Sequence, residues 1–217
     1  MWFFGKKRDK TLLQTEAAGL RFRNPVGVYD QPRSLNAGFI TLIPPQEGVL
    51  DWIHGLEQYR GKSVLAVNLH TDIVRAFSLV YDFADLLIID PDSDNGIDSP
   101  DFSDTTALLE EIVGLRLCYD GYTPVFLRLS HAVAPDELRP LLGRSRLFGI
   151  DGIVAASAAQ VRQVVALTDG RVPVIGRADT PEEAAEILSG GASLVEAHFR
   201  PLQVKLFLQQ LEKQRFV

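Results

Sequence analysis

Eight short runs of Val, Ile and Leu, each followed by a longer connecting stretch, constrain what this chain can fold into more than any other feature. The runs are Val26–Tyr29, Gly38–Ile43, Ser63–Leu69, Leu86–Asp90, Pro124–Ser130, Gly152–Ser157, Val172–Ala178 and Ser193–His198. Most lack polar alternation, the pattern of parallel strands covered on both faces. Helical spacing lies over Val49–Tyr59, Asp72–Phe83, Thr105–Tyr119, Pro135–Phe148, Ala158–Leu167, Pro181–Leu188 and Pro201–Phe216. Thr180-Pro181-Glu182-Glu183 reads as an N-cap, a first-turn proline and a capping-box glutamate. Strand–helix alternation at this number predicts an α/β fold, a single (β/α)8 TIM barrel, with an open doubly wound sheet as the other arrangement of the same elements. The link Asp30–Ala37 is barely long enough for two helical turns and is the weakest unit.

At 217 residues the chain is short for such a barrel, which typically takes about 250, so insertions must be few. No linker or low-complexity tract divides it, and the reading is an N-terminal tail over 1–18 and one barrel domain over 19–217. A net charge of -6 disfavours a nucleic-acid partner, because that affinity rests on neutralising phosphates with Lys and Arg. The single cysteine, Cys118, cannot form an internal disulfide; a reducing, cytoplasmic setting fits. The start, Met1-Trp2-Phe3-Phe4-Gly5-Lys6-Lys7-Arg8, joins an apolar tip to basic residues suited to an anionic membrane surface or a partner, although a plain tail is the simpler reading. It is too short for a signal peptide or a transmembrane segment. The sequence is compatible with a homo-oligomer and leaves its small-molecule ligand open.

Four segments carry a family resemblance: GLRFRNPVG at Gly19–Gly27, ADLLIIDPDSDN at Ala84–Asn95, the stretch Pro124–Ser157, and Val172–Val195. In this order they resemble dihydroorotate dehydrogenases, over most of the chain from Gly19. The resemblance implies FMN over the C-terminal mouth of the barrel, hydride transfer from dihydroorotate, and a place in pyrimidine biosynthesis. Residue by residue it puts Ser93 at the catalytic base, Asn68 and Asn95 on the substrate, and Asp90, Arg128, Ser157 and Arg177 around the flavin. Departures are concentrated on the cofactor. Tyr29, Asp30 and Gln31 stand where the family has Ala-Ala-Gly, and Ile43-Pro44 replaces Gly-Thr, removing a backbone donor. Asp90 replaces an amide with an anion that only accepts, and Arg128 replaces a lysine with a planar, bulkier cation. The family's Gly-Leu-Ser-Gly phosphate loop has no counterpart, and Ala178-Asp179 replaces Gly-Gly, setting a carboxylate where a helix N-terminus would welcome phosphate. Asp90, Asp92 and Asp94 flank Ser93 and would oppose formation of an alkoxide. The expectation is an eroded flavin and phosphate site with reduced or no oxidoreductase activity.

Two alternatives accompany it. One is a pseudoenzyme barrel that binds another small ligand or a protein partner. The weaker is a metal-assisted hydrolase, built on His70, His131 and His198 with Asp30 and Asp90 at strand ends. Locally hydrogen-bonded histidines are the simpler reading of these residues. The run Asp90, Asp92, Asp94, Asp98, Asp101, Asp104 has the alternate carboxylates of a calcium loop, but Gly96 falls one place late and no closing Glu follows, which favours a solvated turn. Arg177 reads as a phosphate cation or, preferentially, as a salt-bridge partner of Asp179. His54, Cys118, Trp2 and Trp52 read as packing or surface residues. A closed barrel should bring Tyr29, Asn68, Asp90, Arg128, Ser157, Arg177 and His198 to one end.

Overall fold

The computed structural model describes residues 13–30, 37–59, 61–91, 102–129 and 133–214. It opens with an antiparallel hairpin, β1 (Thr15–Ala17) and β2 (Leu20–Phe22). Its two-residue turn has Ala18 at φ 50° and Gly19 at φ 79°. Positive φ at both positions gives the twist that a tight hairpin needs. The hairpin straddles position 19, and its Ala17 and Phe22 are buried against the barrel interior.

Eight parallel strands follow: β3 (Val26–Tyr29), β4 (Phe39–Leu42), β5 (Val64–Leu69), β6 (Leu86–Ile89), β7 (Val125–Arg128), β8 (Gly152–Ala155), β9 (Val174–Ala178) and β10 (Leu194–Ala197). They close in the order β10-β3-β4-β5-β6-β7-β8-β9, the expected barrel. Seven helices connect them among the described residues: α1 (Val49–Leu56), α2 (Ile73–Val80), α3 (Phe102–Arg116), α4 (Pro135–Gly143), α5 (Ala158–Thr168), α6 (Pro181–Ser189) and α7 (Pro201–Gln214). Every apolar run of the sequence holds a strand, and two of these strands start directly after a proline, Pro124 or Pro173, which cannot donate to the ladder. Pro124 and Pro173 nevertheless accept from Leu87 and Ile153 through their carbonyls. The short link after β3 falls largely on 31–36, outside the described residues.

Side chains alternate between two cores. Val26, Val28, Leu87 and Ile89 face the helices, whereas Phe39, Ala66, Ile88, Phe126, Val154 and Ile175 fill the barrel. Glycine makes the interior possible. A Cβ on Gly27 would lie 2.3 Å from the Phe39 ring, and one on Gly152 would lie 2.3 Å from Phe126. Each large ring thus occupies the space left by a neighbouring strand. Gly27→Ala should therefore destabilise the protein by about 1–3 kcal/mol through overpacking. Gly114→Ala, on helix α3 with nothing within 4 Å of the added carbon, should stabilise it slightly. Urea unfolding of both variants checks the contrast; equal effects would remove the packing account.

Candidate functional site at the barrel mouth

The C-terminal strand ends converge on one carboxylate that the sequence reading did not single out. Glu196 on β10 sits in a strand that is otherwise apolar and is fully buried. Its inward alternation carries it across the barrel to β4, where Thr41 donates Oγ1–H to Oε2 at 2.9 Å. Arg128, at the end of β7, donates Nη2–H to both Glu196 oxygens at 3.1 and 3.2 Å. His198 lies 2.9 Å from Oε1 through Nε2. An ionised carboxylate only accepts, so His198 carries its proton on Nε2.

The other edge of Arg128 faces β5 and β6. Its Nε lies 3.2 Å from Asn68 Oδ1 and 3.3 Å from Asp90 Oδ2. Asn68 closes the ring by donating Nδ2–H to Asp90 at 3.3 Å. Tyr29 stacks on His198 with ring centroids 4.3 Å apart and presents its other side to the guanidinium at 5.8 Å. Five strands thus contribute directly to one hydrogen-bonded ion cluster, with Tyr29 of β3 stacked against it.

Burial alone would push Glu196 toward the neutral acid. The Arg128 charge, then the His198 and Thr41 hydrogen bonds, outweigh it and hold the carboxyl at about 2. Arg128 is itself desolvated, but Glu196 and Asp90 raise it above the ordinary guanidinium value. Tyr29 is raised by burial, with Arg128 opposing and Glu196 and Asp90 reinforcing the shift. At neutral pH the cluster therefore holds ionised Glu196, cationic Arg128 and a protonated phenol.

Of the residues singled out from sequence, Asn68, Asp90, Arg128, Tyr29 and His198 meet in this cluster. Asp90, expected to repel an anionic ligand, is instead paired with Arg128. Ser157 does not join them: it caps α5, its Oγ accepting from Gln160 N at 3.3 Å. Arg177 pairs with Asp179 at 3.4 Å, while its Nε is buried with no partner among the described residues. Ser93, Asn95, His131 and the aspartates at 92, 94, 98 and 101 lie outside the described residues. His70 Nδ1 lies 2.8 Å from Thr71 Oγ1. Among the described residues no group of three or more His, Cys, Asp or Glu is arranged to hold a metal ion. Between Asp90 and Glu196 stands a guanidinium. Glu196 was readable in principle as a lone acid inside an apolar strand, where a charge persists only with a partner.

The flank formed by β9 and α6 is equally self-contained. Thr180 Oγ1 accepts from Glu183 N at 3.2 Å, and Glu183 Oε2 accepts from Asp179 N at 2.8 Å. Pro181 supplies no amide hydrogen, and Glu182 and Glu183 add two carboxylates to the first turn. No helix among the described residues is long and apolar enough to cross a membrane.

No family model matches this sequence, and no curated protein matches it. Solved structures do resemble the fold. A dihydroorotate dehydrogenase from Eimeria tenella, in complex with ferulenol, superposes with a TM-score of 0.71 at 15% identity, covering 97% of this chain and 87% of that one. A mandelate oxidase variant with a monooxide FMN adduct gives 0.60 at 17% identity over 96% and 77%. An aldolase, QR15, gives 0.61 at 14% identity over 82% and 84%. At these identities the likeness is one of fold.

Proposed function

We propose that this protein is a dihydroorotate-dehydrogenase-like barrel that no longer works through FMN, and that its mouth serves to bind another small ligand or a partner. The observation that carries the reading is the cluster around Glu196. Arg128, which by resemblance would lie beside a flavin, is spent on two carboxylates and an amide of its own chain. Tyr29 and His198 stack on one another over the cluster.

The residues present do not fit flavin mononucleotide. Its phosphate would meet the α6 terminus, where the Asp179 and Glu183 amides are already taken and three carboxylates stand close in sequence. A helix N-terminus attracts anions through free N–H groups and its positive dipole end, and both are offset here. Arg177 Nε, a buried donor with no partner among the described residues, belongs to a side chain already paired with Asp179. A ligand lacking a phosphate suits this flank better.

Titrating FMN and following its fluorescence tests the reading, with no saturable quenching expected. Dihydroorotate oxidation, assayed with added FMN and an electron acceptor, should be undetectable. Stoichiometric FMN binding would overturn the proposal. So would turnover that disappears in Ser93→Ala and persists in Ser99→Ala.

A further inference from the structure

A large cavity lies beside the mouth. It is a cleft of about 890 Å³ between the loops after β4 and β5 and the helices α1 and α2. Pro44, Leu50 and Leu79 contribute an apolar lining, and Leu50 is 63% exposed on its edge. Glu47, Asp51 and Asp72 line it too, with Arg75 the one Lys or Arg among the described lining residues and itself 3.8 Å from Asp72. The surface is thus an apolar floor with a net acidic rim. A complementary occupant is an apolar segment adjoining basic residues.

The chain has such a segment. We propose that the N-terminal residues 2–8, Trp2-Phe3-Phe4-Gly5-Lys6-Lys7-Arg8, dock into this cleft within the same molecule, the aromatic rings on the floor and the basic residues at the rim. The exit point of the described chain supports an intramolecular path. Leu13 is buried in the outer core, between strands and helices. Gln14 lines a smaller cleft with Gly38, Ser63, Val64 and Asp85, at the starts of β4, β5 and β6. The segment therefore leaves beneath the strands whose opposite ends frame the acidic cleft.

The reach is sufficient. Strand β5, with six residues, spans roughly 20 Å. The nine steps from Leu13 back to Phe4 span up to about 30 Å when extended. Tethering raises the local concentration of the segment to the millimolar range for short links, so modest contacts hold it. Each buried aromatic ring removes about 150–250 Å² from water.

Two measurements on the full chain test this. In a Trp52→Phe variant, Trp2 is the remaining indole, and its acrylamide quenching should be several-fold weaker than in the same protein carrying Leu50→Asp. With Cys118→Ser as background, Phe3→Cys and Leu50→Cys should form a disulfide within the monomer under mild oxidation. Leu50 is exposed, so neither replacement threatens the fold; circular dichroism verifies this. Cross-linked dimers without the monomeric bond would assign the cleft to a second copy and overturn the proposal. Equal quenching with no cross-link would overturn it as well. So would a Trp2 signal that becomes protected only on vesicles of phosphatidylserine and phosphatidylcholine.

Discussion

Arg128→Met is expected to destabilise the protein by about 3–5 kcal/mol, because it strands a buried carboxylate without its cation. Glu196 has no exposed surface, and Arg128 is 13% exposed, so water cannot replace the lost partner. The charges are not simply additive. Removing both, in Arg128→Met with Glu196→Gln, should recover a substantial part of the loss, since the amide keeps Thr41 within reach and removes the fully buried anion, leaving only the partly exposed Asp90 without its cation. Breaking one half of a buried pair costs more than replacing the whole pair. Urea unfolding of the four proteins in the cycle measures the coupling. A single-mutant effect under about 1 kcal/mol, the size of an exposed ion pair, would show that the cluster does not support the fold.

Acid should weaken the protein through the same residue. The carboxyl of Glu196 lies at about 2 in the folded protein against an ordinary 4.5. A depressed folded value means that the ionised form is favoured by folding. The contribution is present above about 4.5 and is lost progressively as pH falls toward 2. At about 1.4 kcal/mol per unit, it amounts to roughly 3 kcal/mol. Glu196→Gln cannot titrate, so its stability should fall less steeply across this window, and its deficit at neutral pH should shrink or vanish near pH 2. Parallel curves would assign acid sensitivity to other carboxylates. Above pH 5 the Glu196 contribution should be flat.

The cluster also bears on how a ligand would bind. Arg128 is held at Nε by Asn68 and Asp90 and at Nη2 by Glu196, and such fixed cations are poor at reorganising toward an incoming anion. Tyr29 and His198 stack beside this fixed cluster. A neutral or weakly polar ligand would disturb it least.

The alternation of elements, the parallel strands and the positions of their C-terminal ends can all be read along the chain. Strands covered on both faces must be apolar throughout, and the breaks between runs mark where chain reaches solvent, so these features are local. The same locality made Asn68, Asp90, Arg128, Tyr29 and His198 legible as mouth residues. What they would touch was not. Thr41 and Glu196 are 155 positions apart and meet only because closure and register bring β4 and β10 to either side of β3. The barrel interior further depends on Gly27 yielding space to Phe39, a fit between strands that no single segment encodes. The hairpin at 15–22 was likewise hidden, its strands of three residues being too short for a periodic pattern. The fold alone brings the charges of the mouth into contact with one another, two carboxylates on one guanidinium, because in a dry interior a charge persists only where the fold supplies its partner.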